Sequence, residues 1–531
     1  MGLDTYKISM DDVFGANRRK LVQGIVVRGH DMMETVTTTA SSISTLVYLE
    51  GGRSETRNDT DHEPIFRQES YFLWLTGVMD PDCAVAIETT TGRTTLFVPK
   101  VPQSYATIMG HILTLDEWKH KYQVDCVQFT DDTESYLHRL LFNTDDQQHQ
   151  LALLVMHGTN SDSGNVYPAP IFTSEIMKEH SIDTTTLFPI LAECRVIKSE
   201  YELNLLEHVA YISSMAHVYT MRHTKPFMME YQCESLFRHY GYFNFGSRLV
   251  GYTPICGCGP NSSILHYGHA GEPNNRQIQP NDMLLMDMGA EYFGYGSDIT
   301  CSYPASGIFT EKQAGIYTAV LNAQKAVWAM IRPGVSWVDC HKAAERAILT
   351  QLVHLGVVMV EEDPCTTTIE NLVDMRLGAI FMPHGLGHFI GIDTHDVGGY
   401  LPGHPERIQQ PGLKSLRTAR ILKESMVLTN EPGCYFIDWL LDEALASPVH
   451  SKFLNADVLK EYRGFGGVRL EDVFCVTSNG FYNFTMCPRT ISEVEHCMAG
   501  GKWPPLADEA PELGRKHLTD PTRMPPSSIM P

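Results

Sequence analysis

The chain has 531 residues, 43% of them hydrophobic and 20% charged, with a formal net charge of −22. That length exceeds what one hydrophobic core serves, so two domains are expected, and the acidic balance disfavours binding through nucleic-acid phosphates or anionic membrane surfaces. Thirteen cysteines without a CxxC pair read as reduced buried thiols rather than a disulfide framework, with Cys256 and Cys258 as structural residues. The N-terminal stretch carries acids and no continuous apolar run, and no later window of about 18 residues is apolar throughout. The chain therefore reads as cytoplasmic and without a membrane span. Position 6 is Tyr, where myristoylation of Gly2 calls for Ser or Thr.

Residues 1–190 mix short strands with helical stretches and hold no catalytic constellation, which suggests an α/β supporting domain. Ala84 to Ile87 and Thr95 to Val98 are β-prone runs joined by Thr-Thr-Thr-Gly-Arg, a hairpin pattern, and Leu151 to Met156 is a further buried strand. Ser199 and Glu202 form a capping box for a long helix that carries Leu205, Val209, Ile212, Ala216 and Tyr219 on one face. Thr310 and Gln313 cap a second helix that stops at Pro333-Gly334, and Ser336 opens a third that ends near Gly356. Met283 to Met286, Val427 to Thr429 and Val473 to Val476 read as strands. Helices with mostly antiparallel strands make residues 191–490 an α+β domain. Residues 491–531, with seven prolines from Gly500 onward, are expected to form a mobile tail.

Five potential metal ligands follow one another in the second half: Asp287, Asp298, His388 in HGLGH, Glu431 in NEPG and Glu471 in VRLED. Four carboxylates and one imidazole are the set that two hard divalent cations need when they share bridging oxygens. In MLLMDMGAEYFGYGSDITCSYP an apolar strand ends at Asp287 and Asp298 returns on the neighbouring strand, so a hairpin can bring the two carboxylates together. Alone, such a pair reads as solvated turn acids. Three apolar residues precede Asp287, however, and a buried carboxylate there requires a partner or a cation. His384, His388 and His395 share a glycine-rich segment that reads as irregular, and any one of them alone is more often a hydrogen-bonded structural residue than a ligand. Glu431 and Glu471 are each ordinary turn acids; the ordered set carries the reading.

That set resembles the pita-bread metallopeptidases, and within the family it is most similar to the branch that cleaves Xaa-Pro dipeptides. The resemblance runs to about residue 490 through FRQESYFLWLTGV, TLFVPK, AECRVIKS, NSSILHYGHAG, SDITCSYP, FMPHGLGHFIGIDTHDVGGY, LKSLRTAR, LTNEPGCYF and FGGVRLED. It implies a C-terminal pita-bread catalytic domain and a smaller mixed α/β N-terminal domain. It also implies that Asp287, Asp298, His388, Glu431 and Glu471 bind two divalent cations, Mn²⁺ before Co²⁺, Fe²⁺ or Zn²⁺, with Asp298 and Glu471 bridging.

The implied reaction is attack of a metal-bridging hydroxide on an Xaa-Pro dipeptide with release of proline, Glu431 carrying the proton to the departing nitrogen. His266 in ILHYGH and His395 in THDVGG match residues that contact the dipeptide and stabilise the tetrahedral intermediate, and Tyr252 in GYTPIC matches a tyrosine near the metals. Arg417 in SLRTAR matches the arginine that takes the free carboxylate, for which a guanidinium is a planar bidentate partner. Were Arg417 only a surface residue, longer Xaa-Pro peptides would fit, as in aminopeptidase P. A pita-bread scaffold that has lost catalysis is a third reading, which the complete ligand set disfavours. The resemblance further implies a homodimer, with no nucleic-acid or membrane partner.

Overall fold

The computed structural model describes residues 8–34, 45–142, 152–174, 177, 182–268, 274–360 and 368–520. The described residues fall into two compact units that part between Glu202 and Leu203.

The first unit is built on a six-stranded sheet in the order Cys126–Phe129, Thr94–Val98, Ala84–Glu88, Thr45–Glu50, Ala152–Val155, Ile182–Asp183. The hairpin expected from the Thr-Gly turn is present: Ala84 pairs antiparallel with Phe97 and Ile87 with Thr94. The two strands at one edge and the one at the other join in parallel, so the sheet is mixed. Leu46, Tyr48, Ala86, Phe97, Leu153 and Val155 face one way from it and bury against Leu137 and Leu141 of the helix Thr133–Phe142. Leu151, at the start of the expected third strand, lies outside the described residues.

In the second unit, short antiparallel sheets alternate with long helices. Ile255–Cys258, Met283–Asp287 and Thr300–Pro304 form one three-stranded sheet, and Val427–Asn430, Asp472–Val476 and Phe481–Asn483 form another. Gly433–Tyr435 pairs with Gly467–Arg469. Ser199 and Glu202 close the expected capping box, with the Ser199 N–H donating to Glu202 Oε2 at 2.9 Å, and the helix runs Glu200–His223. Its burial departs from the one-face expectation: Leu206, Ala210, Ser213, Ser214 and His217 are buried along with Leu205, Val209, Ile212 and Ala216, while Tyr219 is only partly so. A helix covered on all sides has no polar stripe for the 3.6-residue pattern to reveal. Thr310 and Gln313 cap the helix Glu311–Trp328, which packs along Trp337–His354. Ser336 precedes that helix without giving a side-chain cap bond. No helix among the described residues is long and apolar enough to cross a membrane.

The C-terminal segment corrects an expectation. As far as residue 520 it is folded down: Ile491–Met498 is a helix with a Thr490–Glu493 capping box, and Trp503, Leu513, Arg515 and Leu518 are buried. Trp503 donates to the Met486 carbonyl at 2.9 Å, and Arg515 grips Glu493 at 2.8 Å and Asp508 at 2.7 Å. The proline count obscured a few large anchors, and anchors rather than average composition decide whether a segment docks. Trp503→Ala is expected to cost about 3–5 kcal/mol of unfolding free energy, read from the denaturation midpoint; unchanged stability would mean the segment is loosely held. Residues 521–531 lie outside the described residues.

Candidate metal centre

Thr300 is the pivot of the site. On one side its backbone pairs with Asp287 in the register of Met283–Asp287 and Thr300–Pro304, and on the other it bridges to Glu471, whose N–H donates to the Thr300 carbonyl at 3.2 Å. Two ligands are thus placed either side of one residue by strand pairing. Asp298 is not on the neighbouring strand, as the hairpin reading had it, but in the irregular stretch just before Thr300. The intervening arms Ala290–Tyr292 and Tyr295–Gly296 leave this sheet to pair with each other and with Leu249–Val250, and the chain returns to the first sheet only after Asp298.

His388 and Glu431 are delivered together. The HGLGH segment lies along Val427–Asn430, with the His388 N–H donating to Thr429 Oγ1 at 3.1 Å, Thr429 N–H to the His388 carbonyl at 2.9 Å, and Glu431 N–H to the Leu386 carbonyl at 2.9 Å. Gly387 permits this approach: a Cβ there would stand 2.1 Å from the Thr429 carbonyl oxygen.

The five side chains converge. His388 Nε2 is 3.3 Å from Asp298 Oδ2, 3.6 Å from Glu431 Oε1 and 3.9 Å from Glu471 Oε1. Its Nδ1 lies 3.0 Å from the Phe389 carbonyl, a partner that places the ring proton on Nδ1 and leaves the Nε2 lone pair for a cation. Donor atoms of His388, Glu431 and Glu471, and separately of Asp287, Asp298 and Glu471, lie within 4.8 Å of one another, so Glu471 belongs to both triads. A third group joins Asp298, His388 and His395. Asp298 Oδ1 is buried with no hydrogen-bond partner, a costly arrangement that a bound cation relieves. Oxygen-rich donors with one imidazole fit hard divalent metals.

Electrostatics point the same way. Burial, then repulsion from Asp298 and Glu431, drives the Glu471 carboxyl well above the usual range. Burial also raises Glu431 to about 7 and Asp287 to about 6. For Asp298 burial is outweighed by the hydrogen bond and charge of His388, and it falls to about 2; His388 rises despite its burial, through Asp298 and Glu431. Without cations, the raised carboxyls of Glu431, Glu471 and Asp287 keep protons to higher pH in the folded chain than in the unfolded chain, which releases them above about pH 4. More protons bound in the folded state means stability is lost as pH rises through the folded pKa values. The melting temperature of chelator-treated protein is expected to fall between about pH 5 and pH 8, and Glu431→Gln to flatten that slope; an unchanged slope would contradict the crowding.

The supporting roles of Arg469, Thr300 and Tyr435 escaped the sequence reading, which did name His384 and Tyr252. Arg469 bonds Asp287 Oδ2 and donates to Thr300 Oγ1 at 3.0 Å and Tyr435 Oη at 2.9 Å. Thr300 Oγ1 in turn donates to Glu471 Oε2 at 2.7 Å. Arg469 and Glu471 alternate onto one side of the chain, the only sequence signal for this pairing. His384 has its Nδ1 2.7 Å from the Gly385 carbonyl and its Nε2 3.0 Å from Tyr435 Oη, so both ring nitrogens are engaged; burial, then the Arg469 charge, lowers its pKa to about 3. Tyr252 donates to Asp287 Oδ1 at 2.5 Å.

The five ligand candidates, with Tyr252, His384 and Arg469, line a cavity of about 700 Å³ together with His266, His395 and Arg417. The His395 ring meets that of His388 edge-on at 4.5 Å. Burial, followed by the charges of Arg417 and Arg469, lowers the pKa of His266, and burial with His388 and Arg417 lowers that of His395. Both imidazoles are thus neutral near pH 7, and Arg417 lies close enough to act on both. Each candidate ligand and substrate-contact residue named from the sequence lines this one cavity.

Comparison with known proteins follows the same outline. The sequence matches metallopeptidase family M24 over residues 204–478 and the N-terminal domain of aminopeptidase P over residues 14–149. It is 46% identical to the Xaa-Pro dipeptidase of Homo sapiens over 500 residues, covering 94% of this chain and 96% of that protein. Against a probable Xaa-Pro aminopeptidase of Verticillium alfalfae it is 32% identical, covering 85% and 91%. The aminopeptidase PepP of Pseudomonas aeruginosa superposes with a TM-score of 0.70 at 26% identity, covering 93% of this chain and 99% of that one.

Proposed function

The chain belongs to metallopeptidase family M24, and on that premise we propose that it is a dinuclear metal-dependent hydrolase of Xaa-Pro dipeptides that releases proline. The observation that carries the reading is the convergence of Asp287, Asp298, His388, Glu431 and Glu471 in a cavity that also presents Arg417. The donor set suits two Mn²⁺ ions. When bound, such cations supply Lewis acidity that makes a water more acidic and polarises a carbonyl.

The chain's own groups do the rest. Glu431, on the cavity wall with Oε1 3.6 Å from His388 Nε2, is placed to accept a proton and return it to the leaving proline nitrogen. Proline makes the scissile bond a tertiary amide, so the site has no N–H to read there, and, as in any amide cleavage, the departing nitrogen must receive a proton. Neutral His266 and His395 supply N–H donors toward charge that develops on the carbonyl oxygen. Tyr252 and Arg469 hold Asp287 from two sides. Arg417 takes the carboxylate that follows the proline ring directly in a dipeptide. The reading includes a cytoplasmic homodimer, carried by the resemblance alone; light scattering giving the mass of a single chain would remove the dimer.

The test is a rate comparison with Mn²⁺-loaded protein on Gly-Pro and on Gly-Pro-Ala. Gly-Pro is expected to be the better substrate. Hydrolysis of the longer peptide alone would assign aminopeptidase P activity instead, and no hydrolysis of either with no bound metal would leave a binding scaffold.

A further inference from the structure

We propose that Tyr400 and Arg407 are positioning residues that determine specificity: they hold the backbone of Arg417 so that its guanidinium meets the carboxylate of a dipeptide squarely. The proposal rests on the reading of Arg417 given above.

Arg417 lies in an irregular stretch between the turn Leu413–Ser415 and Arg420, so no strand ladder fixes its peptide planes. A bidentate pair with a carboxylate is directional, and its advantage disappears if the fork can swing. Something other than regular structure must therefore hold the main chain, and the segment 398–407 does so. The Leu416 carbonyl, which belongs to the peptide plane leading into Arg417, accepts from Tyr400 Oη at 2.7 Å and from Arg407 Nη1 at 2.7 Å. Arg407 Nη1 also reaches the Lys414 carbonyl at 3.3 Å, and its guanidinium lies 4.2 Å above the Tyr400 ring. Both lone pairs of that carbonyl are thereby occupied and the plane cannot rotate freely.

The opposite face of the residue is held as well. A Cβ on Gly399 would stand 2.1 Å from the Arg417 carbonyl oxygen, so only glycine lets the two strands of chain run this close. Thr418 Oγ1 donates to the Gly399 carbonyl at 3.3 Å, and Arg420 to the Gly398 carbonyl at 3.0 Å. Arg417 lines the cavity, whereas Tyr400 and Arg407 are not among the lining residues. They act through the main chain and touch no substrate.

The experiment compares kcat/KM for Gly-Pro with kcat/KM for Gly-Pro-amide, which lacks the terminal charge, in Mn²⁺-loaded enzyme. Tyr400→Phe keeps the ring and removes one donor; the preference for Gly-Pro is expected to fall about fivefold, the worth of one such hydrogen bond, mainly through KM. Tyr400→Phe with Arg407→Ala is expected to lower it further, Arg407→Lys to keep part of it, and Mn²⁺ affinity measured by calorimetry to stay at the parent value. Arg417→Ala is the benchmark. If it abolishes the preference while Tyr400→Phe and the double variant keep the parent ratio, the positioning role is wrong and the reading of Arg417 stands. If Arg417→Ala leaves the ratio untouched, both fail.

Discussion

Glu471→Gln is expected to lower the rate of Gly-Pro hydrolysis by about three orders of magnitude or more. The side chain is buried, with Oε2 accepting from Thr300 and Oε1 directed at His388, and it is the one residue common to both carboxylate-rich triads. An amide of the same shape fills the same space but replaces one anionic oxygen by an N–H₂ that cannot ligate. Two cations sharing Glu471 would lose both a donor and a negative charge between them. Because burial and the neighbouring carboxylates raise the Glu471 carboxyl in the cation-free fold, a neutral Gln relieves the same repulsion, and cation-free stability is expected to hold. The paired readouts are turnover and Mn²⁺ affinity by calorimetry. Near-normal values of both would refute the bridging role, and loss of the fold in cation-free protein would make the result one of stability.

Arg417→Ala is the second large effect. Removing one partner of a desolvated charge pair costs about 2–5 kcal/mol, so kcat/KM for Gly-Pro is expected to fall by about 30-fold to about 4,000-fold, chiefly through KM. Gly-Pro-amide, which offers no carboxylate, is expected to lose little. Arg417→Lys restores the charge without the planar fork and is expected to recover only part of the loss. Equal losses on the two substrates would show that Arg417 does not read the terminal charge.

The parts legible in the sequence are those that neighbouring residues dictate. The Ser199–Glu202 and Thr310–Gln313 boxes announced their helices because a cap is a contact between residues three apart. The apolar run before Asp287 announced a strand with a buried acid at its end. The order of the five ligand candidates was readable through its resemblance to a known family. Asp298 was placed wrongly because the chain between it and Asp287 makes a detour into a second sheet, which alternation of residue types does not record. Trp503 and Arg515 were hidden among prolines, since docking depends on partners such as Met486 and Glu493 elsewhere in the chain.

By itself, then, the sequence determined which side chains are available for chemistry, which local segments are helix or strand, and that a metallopeptidase should be expected. Tertiary structure alone decided that Thr300 and Glu471, 171 positions apart, share a hydrogen bond, that Arg469 grips Asp287 and Tyr435, and that Tyr400 and Arg407 both donate to the Leu416 carbonyl. The reason is physical: capping and periodicity act over one or two turns of chain and leave their mark in adjacent residues, whereas strand register and burial join distant segments whose pairing no local pattern encodes.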